Sequence, residues 1–311
     1  MILMKNQIKN ILVPVDLSKT SLNALNTGIQ MAKRQKAQLH LLYVQDLMDY
    51  YPKMGRLTTL QPIMEDSWER NRKLLKKIVQ SIRYSHEVNC SLEIVAGYKS
   101  VIIAEKAKEL QIDVIVIGTE PDLSEQSYLI DSLPYKLLQN TISHVLIVPA
   151  NKEVNAFDRI IFPVMSQENP IAKLQLSKSI IEKNNAVVTV VGIVKQQDLT
   201  LLKSIRDLSE RIKRSLKMLA ESVTRRSVYT LESAKEISDL STVEKAKLIV
   251  LSGDTNRTLK EFFFGSFIQR MIRNTETAVL FVKGGNYAEK QSSETLKLAY
   301  VNISKLNHYA L

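Results

Sequence analysis

The 311-residue sequence predicts an α/β protein of two doubly wound, five-stranded parallel-sheet domains. Three observations carry that prediction. Apolar runs such as Val114–Ile117 are hydrophobic on both faces and alternate with stretches of helical periodicity, the pattern of a parallel sheet covered by helices on both sides. A single offset of 134 residues maps Gly118 onto Ser252, Ser132 onto Ser266, Asn140 onto Asn274, Thr141 onto Thr275 and Val145 onto Val279. Earlier in each half, Ile11–Val15 is echoed by Ile160–Val164, both with a central proline.

Asn10–Asp16 reads as the first strand. Ser18 suits an N-cap, and the helix to about Lys36 turns Leu22, Leu25, Ile29 and Ala32 to one face. Gln38–Val44 is the second strand. A polar, proline-bearing stretch from Gln45 to Pro62 follows, then a helix over Met64–His86. The third strand is Cys90–Val95, the next helix Ser100–Leu110 and the fourth strand Asp113–Gly118. A helix over Ser127–Asn140 and a fifth strand at His144–Pro149 close the first half.

The second half repeats this order. Its strands are expected near Arg159–Val164, Ala186–Val194, Arg226–Leu231, Lys247–Ser252 and Thr277–Val282. Its second helix is expected over Asp198–Val223, with an apolar stripe at Leu201, Ile205, Leu208, Ile212, Leu216 and Leu219. The domains are then 1–150 and 157–283, joined by a short polar link, Ala150–Phe157. Gly284-Gly285 marks a break before a C-terminal extension, 284–311, with no counterpart in either repeat.

Hydrophobic content of 45% and charged content of 24% are those of an ordinary globular protein. No run approaches the roughly 20 apolar residues of a membrane span, and the N-terminus lacks a signal-peptide pattern. The single cysteine, Cys90, excludes an intrachain disulfide, so a cytoplasmic location is expected; Cys90 itself reads as a small core residue. Net charge is +11, carried mainly by the second half. Lys203, Arg206, Arg211, Lys213, Arg214, Lys217, Arg225 and Arg226 make a basic face for a nucleic acid or membrane surface, or a solvated helix with internal ion pairs, given Asp207, Glu210 and Glu221. No nucleic-acid-binding motif accompanies it. His40, His86, His144 and His308 lack zinc-ligand spacing, and no nucleophile elbow or Walker-type lysine appears. No catalytic residue and no metal ligand is therefore assigned.

A doubly wound sheet binds ligands beyond the carboxyl ends of its strands, where strand order reverses. That rule brings the end of the first strand, Asp16 or Met165, beside the loop after the fourth, from Gly118 or Ser252 onward.

In the order of its elements, the Val13–Val15 motif and the strand-loop-helix unit near each repeat's end, the chain resembles the universal stress protein family in tandem form. The resemblance spans about 5–150 and 157–283. It implies a Rossmann-like domain of the adenine nucleotide alpha hydrolase-like kind and a stress-response role, with ATP or AMP as the cofactor of nucleotide-binding members. In those members Gly-x-x-Gly, nine residues and Gly-Ser/Thr bring backbone amides onto phosphates at a helix N-terminus. A strand-one carboxylate and the backbone ending strand two hold the nucleoside. Here the binding positions implied are Asp16, Val44, Gly118 and Ser132 in the first repeat. In the second they are Gly253, Thr255, Gly265 and Ser266. Such domains also pair through the fifth strand. Val145–Val148 is expected to face Val279–Val282 within one chain, with a homodimer and an unidentified protein partner left open.

Spacing survives in both loops, but the residues do not. The three glycine positions hold Gly118, Pro121 and Asp131 in the first repeat, and Ser252, Thr255 and Gly265 in the second. Pro121 offers no amide. Asp131 places a carboxylate where phosphate would rest, and Glu120, Asp122 and Glu125 add negative charge. One like-charge contact near 4 Å costs about 1 kcal/mol in water and about 4 kcal/mol when partly buried. Several together would cancel micromolar affinity, worth about 8 kcal/mol. The second loop is less hostile, with Arg257 and Lys260 close by and Gly253 one residue from a lost glycine, but Met165 replaces the carboxylate. The reading is a stress-response binding or regulatory protein, not an enzyme, with degenerate nucleotide sites. The alternative is a nucleotide-binding member with weak ATPase activity through the second-repeat loop.

Overall fold

The computed structural model describes residues 7–46, 57–119, 132–165, 170–194, 199–252 and 264–283. In chain order the first half gives β1 (Asn10–Pro14), α1 (Lys19–Gln35), β2 (Gln38–Asp46), α2 (Leu57–His86), β3 (Cys90–Gly97), α3 (Lys99–Glu109), β4 (Val114–Thr119), α4 (Leu133–Asn140) and β5 (His144–Pro149). The second gives β6 (Arg159–Met165), α5 (Pro170–Lys183), β7 (Val187–Val194), α6 (Leu199–Leu216), β8 (Ser222–Tyr229), α7 (Ser233–Val243), β9 (Leu248–Ser252), α8 (Phe264–Asn274) and β10 (Ala278–Val282).

All ten strands join one sheet in the order β3-β2-β1-β4-β5-β10-β9-β6-β7-β8. Each half is parallel within itself and has the same internal order. The halves meet antiparallel, with Ile147 opposite Val279, Leu146 opposite Leu280 and Val145 opposite Phe281. Every one of these six side chains is buried.

Strand residues alternate between the two faces, and each face carries one core that runs through both halves. Ile11, Val13, Val116, Leu146, Phe162, Val250 and Leu280 lie in one core; Leu12, Ile115, Val145, Ile161, Ile249, Val279 and Phe281 lie in the other. Helix α1 begins as its sequence implies: the Ser21 N–H donates to the Ser18 hydroxyl at 3.1 Å. It ends on Lys36 in the left-handed region (φ 54).

Several expectations need correction. Leu22 is not on the buried face of α1 but 36% exposed, because Ala24, Leu25, Ile29, Met31 and Ala32 define an arc centred past it. Helix α2 starts at Leu57 rather than Met64 and runs through Pro62. Helix α6 stops at Leu216, not Val223, and the strand expected at Arg226–Leu231 lies at Ser222–Tyr229. Leu219 continues the helical stripe, yet it packs from the turn that follows, and β-branched Val223 and Thr224 take strand geometry. The link 150–157 is less polar than it reads, since Val154 and Phe157 are buried. The expected helix residues 127–131, most of the stretch before α2, and the extension 284–311 with His308 lie outside the described residues.

Candidate functional site

Strand order reverses between β1 and β4, which pair at Ile11–Val114 and Leu12–Ile115. β2 leaves one side of β1 and β4 the other, so the connections diverge and open a crevice above the carboxyl ends. A cavity of about 400 Å³ occupies it, within the range of small-molecule sites. Asp16, Val44, Gly118 and Ser132, set apart by up to 116 positions in the chain, all line this cavity.

Asp16 sits two residues past β1, exposed at the rim. The Ser18 N–H donates to its Oδ1 at 3.0 Å, and the Asp16 N–H donates to the Ser21 hydroxyl at 3.2 Å. Leu17 between them is in the left-handed region (φ 67), a conformation that costs a non-glycine residue about 1–2 kcal/mol. Leu17 packs partly into the core, which helps hold that turn. Burial tends to raise the Asp16 pKa, but hydrogen bonds from Ser18 and Ser21 and the field of Lys99 outweigh it, so the carboxyl lies below its ordinary value. The group is an ionised acceptor.

Gly118 has a packing reason to be glycine. An added Cβ would lie 2.5 Å from Thr20 Cγ2 and 2.7 Å from the Thr20 carbonyl oxygen. The first turn of α1 therefore rests directly on the end of β4, and Asp16 is held beside it. Ser132 is the N-cap residue of α4, and its carbonyl accepts from the Lys136 N–H at 3.0 Å. Val44 is buried near the end of β2 and forms apolar wall with Leu42, Ile103 and Ile117.

Sequence reasoning missed Lys99, which lines the same cavity from the first position of α3. Gly97 aims it: its φ of +155 and the contact of a built Cβ with Ile102 at 2.7 Å favour glycine at this strand-to-helix corner. The signal available was the position itself, immediately after the third strand and so on the same sheet edge as Asp16. Thr20, Ser21 and Thr119 add hydroxyls to the lining.

In the second half, Ser252 is buried at the end of β9. Gly265 and Ser266 lie in the first turn of α8, which begins at Phe264, so Ser266 is inside the helix rather than its N-cap. Gly253 and Thr255, with Pro121, Asp131, Arg257, Lys260 and the acidic residues 120, 122 and 125, lie outside the described residues. Met165 is half-buried and packs against the core. Lys173 on α5 is fully buried; its ammonium donates to the Pro163 carbonyl and sits 4.7 Å from the centre of the Phe162 ring.

Cys90 is buried, and burial pushes its thiol up to about 12 against the opposing field of Arg83, so it is no nucleophile at neutral pH. His40 is placed between Asn10 and Ser91. Among the described residues no group of three or more His, Cys, Asp and Glu could hold a metal, and no helix is long and apolar enough to cross a membrane. Three of the basic residues singled out in the sequence are paired: Glu210 on α6 meets Arg214 of the same helix at 3.7 Å and Arg225 of β8 at 3.5 Å, and Arg226 of β8 meets Glu244 at 2.9 Å.

Residues 7–149 match the model of the Universal stress protein family. A curated universal stress protein of Methanocaldococcus jannaschii is 26% identical over 151 residues, covering 48% of this chain and 86% of that protein. The crystal structure of a universal stress protein from Archaeoglobus fulgidus superposes with a TM-score of 0.70 at 19% identity, covering 91% of this chain and 99% of that one. A putative universal stress protein from Pseudomonas aeruginosa gives 0.59 at 17% identity, covering 89% and 94%. These two likenesses show a shared fold along nearly the whole chain.

Proposed function

We propose, from the premise that residues 7–149 are a domain of the universal stress protein family, that this chain is a stress-response binding or regulatory protein and not an enzyme. Its first-half cavity takes a small nucleoside-like ligand and does not bind ATP robustly. One observation carries this reading: Asp16, Val44, Gly118 and Ser132 converge on a single cavity of about 400 Å³ at the strand-order reversal. Apolar Leu42, Val44, Ile103 and Ile117 offer a surface for a flat ring, and ionised Asp16 offers an acceptor for hydroxyl or amine donors. The charge and rigidity of Pro121 and Asp131 argue against a polyphosphate. Asp16 has serine hydroxyls, backbone N–H groups and a lysine for neighbours, an environment that keeps it charged rather than poised for proton transfer. The antiparallel joining of β5 and β10 supplies within one chain the pairing that two copies would otherwise provide. A cytoplasmic location accords with the lone buried thiol.

Calorimetry of the full chain with adenosine, AMP and Mg·ATP tests the reading. Micromolar-to-millimolar binding of the smaller ligands, lost in Asp16→Ala, supports it. No binding of any of them, or tight uptake of Mg·ATP with phosphate release, overturns it; the latter outcome would favour a weak ATPase.

A further inference from the structure

Helix α6 packs on β7 and β8, the last two strands at the outer end of the second half. Ile205, Ile212 and Leu216 are its buried side. At about 3.6 residues per turn, Lys203, Arg206, Arg211, Arg214 and Lys217 fall on the opposite side, and all five are exposed. Lys217 follows the last helical residue, but its N–H still donates to the Lys213 carbonyl at 3.1 Å and keeps the helical path. The 18-residue helix makes this face about 27 Å long. Glu210 neutralises Arg214. Lys203, Arg206, Arg211, Lys213 and Lys217 form no ion pair with another of the described residues, and Asp207 is the acid left among them. The helix dipole favours cations in the last turn, where Lys213 and Arg214 stand; it gives no reason for Lys203 and Arg206 nearer the start. Met218, beside Lys217, is 95% exposed, the most exposed large hydrophobic side chain among the described residues.

We infer that the outward face of α6 docks the protein on an anionic phospholipid surface, with the cations against the headgroups and Met218 entering the boundary of the acyl chains. A long basic helix face with an apolar side chain beside it has the composition of a membrane-surface helix. Cations near such a surface each add to attraction without any one of them needing a fixed partner. An exposed methionine gains nothing from a phosphodiester backbone, whereas an acyl boundary removes it from water. This surface belongs to the second half, and none of its residues lines the cavity that holds Asp16. It therefore goes beyond the proposed ligand-binding function and does not depend on it.

The experiment is co-sedimentation of the full chain with vesicles of phosphatidylcholine alone and of phosphatidylcholine mixed with phosphatidylglycerol, at low and at high salt. Binding is expected with the mixed vesicles only, and is expected to fade at high salt. The double variant Arg206→Gln, Arg211→Gln is expected to weaken it about twentyfold, about fivefold for each cation removed. Met218→Gln is expected to weaken it about fivefold or more. The double variant Lys76→Gln, Lys77→Gln removes the same charge from the exposed side of α2 in the first half and is expected to leave binding within about twofold of wild type. Unchanged melting temperature and circular dichroism establish that the variants fold. No binding to the mixed vesicles overturns the inference. Equal losses in the α6 and α2 variants overturn it too, since net charge alone would then be responsible. So does binding indifferent to Met218→Gln together with tighter binding of a DNA duplex, which would make the face a nucleic-acid surface instead.

Discussion

The main-chain N–H of Lys283 donates to Nδ1 of His144 at 3.0 Å, joining the residue after β10 to the first residue of β5. The Lys283 ammonium donates to the Leu138 carbonyl in the last turn of α4, where a cation is favoured. The imidazole is therefore neutral, with its proton on Nε2. Burial lowers its pKa to about 4; Asp113 opposes this and Lys283 adds to it.

The unfolded chain binds a proton to this histidine near pH 6.5, whereas the folded chain does so only near pH 4. Its contribution to stability is complete above about pH 6.5 and is lost as pH falls toward about 4. Urea denaturation across that window is expected to show a midpoint falling with acidification, and His144→Gln is expected to flatten the fall. Equal slopes for the two proteins would refute the linkage.

Asp16 behaves in the opposite chemical sense, with a lowered carboxyl that stays charged at every pH above the ordinary carboxylate range. Adenosine binding is expected to be constant from about pH 5 to about pH 8. Asp16→Asn is expected to weaken it about tenfold or more with little change in melting temperature, since the side chain is exposed. Calorimetry at three pH values checks both.

Gly118→Ala is expected to destabilise the protein by about 1–3 kcal/mol, the cost of overpacking. The new methyl would meet the Thr20 carbonyl oxygen as well as its side chain. Combining it with Thr20→Ser is expected to recover only part of the loss, because the backbone contact remains. Chemical denaturation of the single and double variants measures this.

Leu146 and Leu280 face each other across the joint between the halves, both fully buried. Either leucine replaced by alanine is expected to cost about 2–5 kcal/mol. The double variant is expected to cost less than the sum, because both changes open one shared space. Additive losses in urea would mean that the two side chains do not share a cavity.

Much of this architecture was legible in the chain. β5 matched at both ends, and Ser18 was readable as a cap because a serine before an apolar-periodic run has one dominant use. Strand order alone put Asp16 beside Gly118, and the family resemblance added Val44 and Ser132; all four line one cavity. Lys99 was missed although it follows the third strand on the same edge, since one lysine at a helix start is usually surface and the fold is what brings it into the cavity that Asp16 also lines. The break after Leu216 was hidden because Leu219 keeps helical phase while packing from a turn. Gly118 looked like a phosphate-loop glycine, yet its contact with Thr20 gives it a purely steric reason to persist.

The single antiparallel seam at β5 and β10 sends the strands of the two halves in opposed senses. Asp16 follows β1 off one margin of the sheet, whereas Gly265 and Ser266, after β9, belong to the other. Asp16 of the first half and the Gly265-Ser266 pair of the second are thus barred by topology from serving the same guest.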